Sequence, residues 1–440
     1  LSALQQPEYQ DADELRFWLD RIRQHPPIVT PGEVVALKTQ LAEASLGRRF
    51  VLHAGDCAER FVDCNTKAIS DKLKIILQMS LVLVHGLRRP IVRIGRIAGQ
   101  YAKPRSQGLE SRGSQSLPSF RGDIINGFEF SEGSRRHQPA RLFDAFMHST
   151  FTMNHLRSLI EGGFADIRHP EMWRLDHIDE DKQLDLYRDI KHRVLESTRF
   201  MELLGGSNNE FMRRVDFFVS HEGLLLDYEA ALTHYDEATK QWYDLSAHFL
   251  WIGERTRQLD GAHVEFFRGV ANPIGIKIGP TTDPKYLFDL LEALNPQREA
   301  GRITLISRMG VAEVASRLPP LLEAVRQSKH PVMWSCDPMH GNAITTQDGV
   351  KTRNFDAILG ELTLTEQAHR QFGSILGGVH FELTGENVTE CTGGSVGLSE
   401  SSLSTNYQTY CDPRLNYAQS MEMASLLSQH FENAEPLYAP

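Results

Sequence analysis

Residues 274–294 read IGIKIGPTTDPKYLFDLLEAL. The first part alternates: in an extended chain Ile274, Ile276 and Ile278 fall on one side and Gly275, Lys277 and Gly279 on the other. The second part changes period. Asp283 suits a helix N-cap, Pro284 suits the first helical position, and Leu287, Leu290, Leu291 and Leu294 then recur at helical spacing. The isoleucine face of such a strand packs against the leucine stripe of its helix, which predicts one βα unit of a layered α/β fold. The other strand face then points into a barrel. A lysine there is costly without an anion beside it, either a carboxylate on a neighbouring strand or a ligand.

The same kind of apolar or β-branched run recurs at 51–56, 91–95, 216–221, 248–252, 273–279, 303–307, 331–336 and 378–384. Helical pattern lies between most of them, so the strands pair in parallel, and eight such units predict a closed barrel. A barrel of this type needs about 250 residues, so a chain of 440 carries much extra. Residues 1–50 read as an N-terminal extension, with PEYQDADELRFWLDRIRQHPP as an amphipathic helix ending at a proline pair, and 51–440 as the catalytic barrel. Strands two and three lie about 120 residues apart, far more than an ordinary crossover. The insertion spans 98–206. Its Gly/Ser-rich first part, 98–134, reads as an active-site loop, ARLFDAFMHSTFTMNHLRSLIEGG as the crossover helix, and the stretch from Glu171 to Gly206 as a helical hairpin or long helix.

A formal charge of -10 argues against nucleic acid as partner. Against that background, Arg88, Arg89, Arg93, Arg96, Lys103, Arg105, Arg112 and Arg121 stand against the single acid Glu110: either a solvated basic loop or, as the nearby Gly, Ser and Pro favour, a local well for phosphorylated or carboxylated small anions. Five cysteines without CxxC spacing argue against a secreted disulfide framework. The longest apolar stretch, IILQMSLVLV, is too short to cross a bilayer, and the chain opens on nothing resembling a signal peptide. A reducing, cytoplasmic compartment away from membranes is expected.

The strand ends carry chemistry. Arg96 follows IVRIG, Glu254 and Arg255 follow HFLWIG, Lys277 lies in IGIKIG, and Arg308 follows ITLIS. Barrel active sites are built at the carboxyl ends of different strands, and guanidinium groups grip carboxylate and phosphate in bidentate fashion. Beside this cationic set stand Cys57 in VLHAGDCAERF, His340 in VMWSCDPMHGN, Glu382 in GGVHFELTGEN and Asp412 in YCDPRLNY. Taken singly, each is more often structural. Together, one thiolate, one imidazole and two carboxylates make a mixed-ligand site for a divalent transition metal. A substrate bearing carboxylate and phosphate, close to a metal, follows.

The segments GDCAERF, RIGRIAGQYAKPRS, SHEGLLLDYE, WIGERTRQLDGAHVEFFRGVANPIGIKIGP, LISRMG, DPMHGN, GGVHFELTGENVTEC and YCDPRLNYAQSMEMA run in order through most of residues 50–425. Together they resemble the class II 3-deoxy-D-arabino-heptulosonate 7-phosphate (DAHP) synthases. The resemblance implies a (β/α)8 TIM barrel with an N-terminal extension and extra helices. It also implies condensation of phosphoenolpyruvate with erythrose 4-phosphate, the first step of the shikimate pathway to aromatic amino acids. It puts the metal on Cys57, His340, Glu382 and Asp412, phosphoenolpyruvate on Arg96, Glu254, Arg255, Lys277 and Arg308, and erythrose 4-phosphate on Lys103, Arg105 and Ser106, with Lys277 and Glu254 catalytic. The thiolate argues against Mg²⁺ and Ca²⁺, and two carboxylates favour Mn²⁺ or Co²⁺. A homo-oligomer (dimer or tetramer), an aromatic amino acid inhibitor and a chorismate mutase partner are further expectations. Cys411, beside Asp412, is placed to form a disulfide with Cys57 that expels the metal; two thiols that never meet are the alternative. Two rival functions stay open: a barrel metallohydrolase acting on a phosphorylated substrate, and a non-catalytic effector-binding scaffold.

Overall fold

The computed structural model describes residues 1–166, 170–173, 185–203 and 215–432. Eight parallel strands close on themselves: β1 (Phe50–Gly55), β2 (Ile91–Arg96), β3 (Phe217–Glu222), β4 (Phe249–Ile252), β5 (Ile274–Ile278), β6 (Ile303–Ser307), β7 (Val332–Cys336) and β8 (Leu376–Glu382). Each pairs with its neighbours in chain order, and β8 returns to β1, with Gly55 opposite Glu382. All eight predicted strands are present, with ends shifted by at most two residues. The helices that bear on the site are α1 (Ala12–Arg23), α2 (Pro31–Ser45), α3 (Thr66–Leu87), α4 (Ala140–Glu161), α5 (Asp185–Leu203), α6 (Pro284–Leu294), α7 (Phe355–Gln371) and α8 (Tyr417–Glu432).

The alternation read in 274–294 holds in three dimensions. Ile274, Ile276 and Ile278 share the core between barrel and helices with Leu287, Leu290, Leu291 and Leu294, and Asp283 caps α6 by accepting from the Tyr286 amide at 3.0 Å. Gly275 faces inward, where a Cβ would stand 2.8 Å from Trp251 Cβ. The interior forms its own cluster from Val51, Val92, Ile94, Phe218, Phe249, Trp251, Ile306 and Met333. Leu37, Leu41 and Ala44 of α2 join it, so the N-terminal extension plugs the end where the strands begin. A capping box between Thr30 and Glu33, with Pro31 at the first position, starts that helix. Around the outside, α8 lies against α3, and Gly86 permits the approach: a Cβ there would stand 1.9 Å from Ser428 Oγ.

Between β2 and β3 the predicted crossover helix is α4. The stretch read as one loop, 98–134, instead contains a two-stranded hairpin, Leu109–Arg112 with Gln115–Pro118, turning at Gly113. Its strands are too polar to show an alternation. Buried Arg135 fastens it through Glu110 at 2.7 Å. Of the predicted helical stretch from Glu171 to Gly206, α5 and the turn at 170–173 are described, and the remainder falls outside the described residues. Among the described residues, no helix is long and apolar enough to cross a membrane.

Candidate active site

Along four strands the inward positions end in a charged residue at the carboxyl end. Val92 and Ile94 give way to Arg96, Phe218 and Ser220 to Glu222, Gly275 to Lys277, and Gly378 and His380 to Glu382. Because all strands are parallel, the polar positions collect at one end, where the following loops add Cys57, Lys103, Glu254, Arg255, Arg308, His340 and Asp412.

Cys57 Sγ and carboxylate oxygens of Glu382 and Asp412 lie within 4.8 Å of one another, a set able to hold a divalent metal. Glu382 ends β8, and Cys57 lies two residues beyond β1. Asp412 is carried by a later loop, which is anchored by buried Arg414 to Glu390 at 2.8 Å and to Asp56 at 2.7 Å. The Asp412 amide donates to Cys57 Sγ at 3.0 Å. His340 is outside the tight trio but adjoins it, with Nε2 3.2 Å from Glu382 Oε1 and 4.0 Å from Asp412 Oδ2. Its Nδ1 meets Asp337 Oδ2 at 2.7 Å, the carboxylate–imidazole arrangement that orients a metal-binding histidine.

Cations surround the cluster. Glu382 Oε1 accepts from Arg96 Nη2 at 2.9 Å and Lys103 Nζ at 3.1 Å, while Arg353 Nη1 stands 2.8 Å from Oε2. Burial alone would raise the Glu382 carboxyl; His340, Lys103, Arg353 and Arg96 outweigh it and hold the group well below the usual carboxylate range. Asp412 is held low in the same way by Lys103, Arg353 and Lys351 against its own burial. Burial pushes the Cys57 thiol well up, and contact with Cys411 and the charge of Glu382 push it further, so this sulfur becomes a thiolate ligand only with a cation beside it. Cys57 and Cys411 are both free thiols in hydrogen-bonding contact.

A cleft of about 330 Å³ opens beside this cluster, and Arg96, Lys103, Glu254, Arg255, Lys277 and Arg308 all line it. Arg308 pairs with Glu254 and donates to the His340 carbonyl at 3.2 Å. Lys277 pairs with buried Asp337, which follows β7, so the inward lysine has a carboxylate partner, and it also lines the cleft. A second cleft of about 280 Å³ shares Lys103, Arg255, Arg308, His340 and Asp412 with the first and adds Arg105, Ser106, Lys351 and Arg353. There Arg255 Nη2 donates to Ser106 Oγ at 2.8 Å, and Arg105 Nε is tied to the Phe120 carbonyl at 2.6 Å. The structure therefore brings every predicted site residue to one end of the barrel, in two joined clefts and the acidic cluster beside them.

Several residues at the site have no counterpart in the sequence reading. Glu222 and Trp251 line the first cleft from inward positions on β3 and β4, where the rule applied to Lys277 would have found them. Asp337 lies inside a motif already singled out for His340. Lys351 and Arg353 arrive on a three-residue hairpin strand that carries no readable pattern.

The Class-II DAHP synthetase family model matches residues 1–428. A Neurospora crassa protein named phospho-2-dehydro-3-deoxyheptonate aldolase is 47% identical over 97% of this chain and 91% of its own. Proteins of the same name from Streptomyces coelicolor (43% identical, 98% of this chain and 96% of theirs) and, designated AroG, from Mycolicibacterium smegmatis (42%, 97% and 92%) are similar over nearly their whole lengths. Two clefts lined by cations beside a thiol–carboxylate cluster lie at the mouth of a parallel barrel. The chain is matched almost end to end, and this protein is a member of the class II DAHP synthetase family.

Proposed function

We propose that this chain condenses phosphoenolpyruvate with erythrose 4-phosphate to give DAHP and phosphate, the step that opens the route to aromatic amino acids. The observation that carries the reading is the convergence of five cations, Arg96, Lys103, Arg255, Lys277 and Arg308, on one cleft beside the Cys57–Glu382–Asp412 cluster. Two anions that repel each other must be held together for such a reaction, and fixed cations at a buried site do this well.

In this reading Arg96, Arg255, Lys277 and Arg308 bind the carboxylate and phosphate of phosphoenolpyruvate, and Lys103, Arg105 and Ser106 bind the sugar phosphate in the adjoining cleft. The donor chemistry of Cys57, Glu382, Asp412 and His340 fits a divalent ion of the Mn²⁺ or Co²⁺ type. Such an ion supplies Lewis-acid polarisation of the aldehyde oxygen. Lys277 and Glu254 hold the water that adds to C2 after the phosphoenolpyruvate methylene has attacked the aldehyde, before phosphate leaves with cleavage of its C–O bond. Residues 51–440 act as one catalytic unit, with 1–50 as its extension; burial of Leu37 and Leu41 inside the barrel supports this. Family membership supports assembly as a dimer or tetramer, feedback by an aromatic amino acid and association with a chorismate mutase. Five free thiols support a cytoplasmic setting.

The test follows the ultraviolet absorbance of phosphoenolpyruvate after erythrose 4-phosphate is added, with Mn²⁺, with Co²⁺ and with a chelator. Metal-dependent loss that needs both substrates is expected. Loss without the sugar phosphate would make the protein a metallohydrolase, and no loss with any divalent ion would leave a scaffold. Arg308→Ala is expected to raise KM for phosphoenolpyruvate at least tenfold, the scale of one lost charged contact, with metal content unchanged. Loss of metal in that variant would overturn the assigned geometry.

A further inference from the structure

Beneath the phosphoenolpyruvate cleft, the barrel interior holds a polar chain to which no role is yet assigned. Arg96 Nη1 lies 2.6 Å from His380 Nε2, His380 Nδ1 lies 2.9 Å from His53 Nδ1, and His53 Nε2 lies 2.7 Å from Ser220 Oγ. Ser220 Oγ then donates to the Gly95 carbonyl at 2.9 Å. The chain starts on β2, crosses β8, β1 and β3, and returns to β2 at the residue before Arg96. His53, Ser220 and His380 are all buried.

The two ends fix the direction of every bond. A guanidinium can only donate and a carbonyl can only accept. His380 Nε2 must therefore accept from Arg96, so a neutral His380 carries its proton on Nδ1 and gives it to His53 Nδ1. That nitrogen is bare, so His53 carries its proton on Nε2 and gives it to Ser220, whose hydroxyl is free to reach Gly95. An imidazolium at His380 would turn an N–H against the Arg96 N–H, and one at His53 would turn an N–H against that of His380.

We propose that His380 and His53 are positioning residues, a neutral pair locked in opposite tautomers that anchors the inner Nη1 proton of Arg96 and so helps seat its guanidinium in the cleft. Arg96 has five N–H groups. Nε donates to the Asp56 carbonyl at 2.7 Å, and Nη2 to the Cys57 carbonyl at 3.0 Å and Glu382 Oε1 at 2.9 Å. With one Nη1 proton on His380, the other Nη1 proton is left for the cleft that Arg96 lines. Trp251 walls the arrangement in, with its ring 5.0 Å from the Arg96 guanidinium carbon and about 5.4 Å from both imidazoles. Without the acceptor on His380, the inner Nη1 proton is buried without a partner and the guanidinium loses one of its four anchors. The functional part of the inference rests on the reading of this cleft as the phosphoenolpyruvate site.

Two measurements on the full-length protein test it. Histidine-selective ¹⁵N labelling with long-range proton–nitrogen correlation assigns tautomers, using His380→Gln and His53→Gln to identify the signals. The expected result is Nδ1–H on His380, the less common form in water, and Nε2–H on His53. The opposite tautomer or an imidazolium at either position overturns the proposal, whatever the protein catalyses. Kinetically, His380→Leu removes the acceptor, while His380→Gln places an amide oxygen where Nε2 accepts. KM for phosphoenolpyruvate should rise about tenfold in the leucine variant and return to near wild type in the glutamine variant, with kcat and KM for erythrose 4-phosphate little changed. Equal KM in all three proteins, with an active wild type, overturns the positioning role and leaves the proposed activity standing. A wild type without turnover overturns the proposed activity, and the tautomers then decide the inference alone. Where the leucine variant does not fold, Ser220→Ala serves: it removes the far acceptor without touching Arg96. The expected result is a shift of the His380 nitrogen signals through His53; unshifted His380 signals overturn the chain.

Discussion

Lys277 shows what one residue's surroundings can specify. It sits on the inward face of β5, paired with Asp337 and open to the cleft. Burial pulls its ammonium down to about 8, and Asp337 offsets only part of that. A lysine so tuned loses its charge as pH rises through about 8, well before an ordinary lysine does. Binding of an anionic substrate is therefore expected to weaken on the alkaline side, with kcat/KM for phosphoenolpyruvate falling toward tenfold per pH unit above about 8. A pH profile of the wild type that stays flat through that region would show that the charge of Lys277 is not used. Glu361 on α7 gives a second case. Its Oε1 accepts from the Met309 amide at 2.7 Å and its Oε2 from Asn342 Nδ2 at 2.7 Å, tying the loop after Arg308 to the loop after His340. Burial raises its carboxyl to about 7. Between about 4.5 and about 7 the folded chain binds more protons here than the unfolded chain, so this group's contribution to stability falls as pH rises through that window. Whatever Glu361→Gln costs at pH 5, the cost should be smaller by up to about 3 kcal/mol at pH 8, measured as the gap in thermal midpoint from wild type. The inward lysine was legible because alternation in IGIKIG is unbroken. Glu361 was not, because an acid within a helical pattern looks like any solvated residue until the loops it caps are in place.

At the scale of elements, the barrel strands were readable because each is buried on both sides and therefore runs largely apolar or β-branched over its four to seven residues. The hairpins were not. Leu109–Arg112, Gln241–Asp244 and Lys351–Arg353 are three or four residues long and mostly polar, and tertiary contacts rather than pattern define them. The cost falls on the site, since Lys351 and Arg353 reach Asp412 and Glu382 on such a hairpin. The role of α2 was also hidden: the amphipathic pattern falls on 7–27, which holds α1, and only closure of the barrel shows that Leu37, Leu41 and Ala44 of α2 fill its lower end. Leu41→Ala should cost about 2–5 kcal/mol of stability, as for other fully buried leucines. Because the plug and the clefts occupy opposite ends, kcat/KM at a temperature well below the midpoint should be unchanged. A variant that loses activity while still folded would show that the plug and the site are mechanically coupled.

At the scale of the molecule, the Cys57–Glu382–Asp412 cluster joins regions that sequence keeps apart. Cys57 follows β1, Glu382 ends β8, and Asp412 lies on a loop thirty residues further on, yet β1 and β8 are neighbours because the barrel closes. The closure that makes the fold thus also assembles the site. Two consequences follow for stability. A divalent ion bound by the closed form, and not by the unfolded chain, stabilises the whole barrel by mass action, by about 4 kcal/mol at a free concentration one thousand times Kd. The ion also has to take Glu382 and Asp412 from Lys103, which holds both at 3.1 Å, so selectivity should favour metals that bind thiolate strongly enough to offset that exchange. Mn²⁺ and Co²⁺ are therefore expected to raise the thermal midpoint, Mg²⁺ and Ca²⁺ to leave it nearly unmoved, and a chelator to reverse the rise. Cys57→Ser keeps the carboxylates and removes the soft ligand, so it should abolish most of the Co²⁺ shift. An undiminished shift in that variant would mean that the ion binds elsewhere on the chain, and the thiolate–carboxylate cluster would no longer stand as the metal centre.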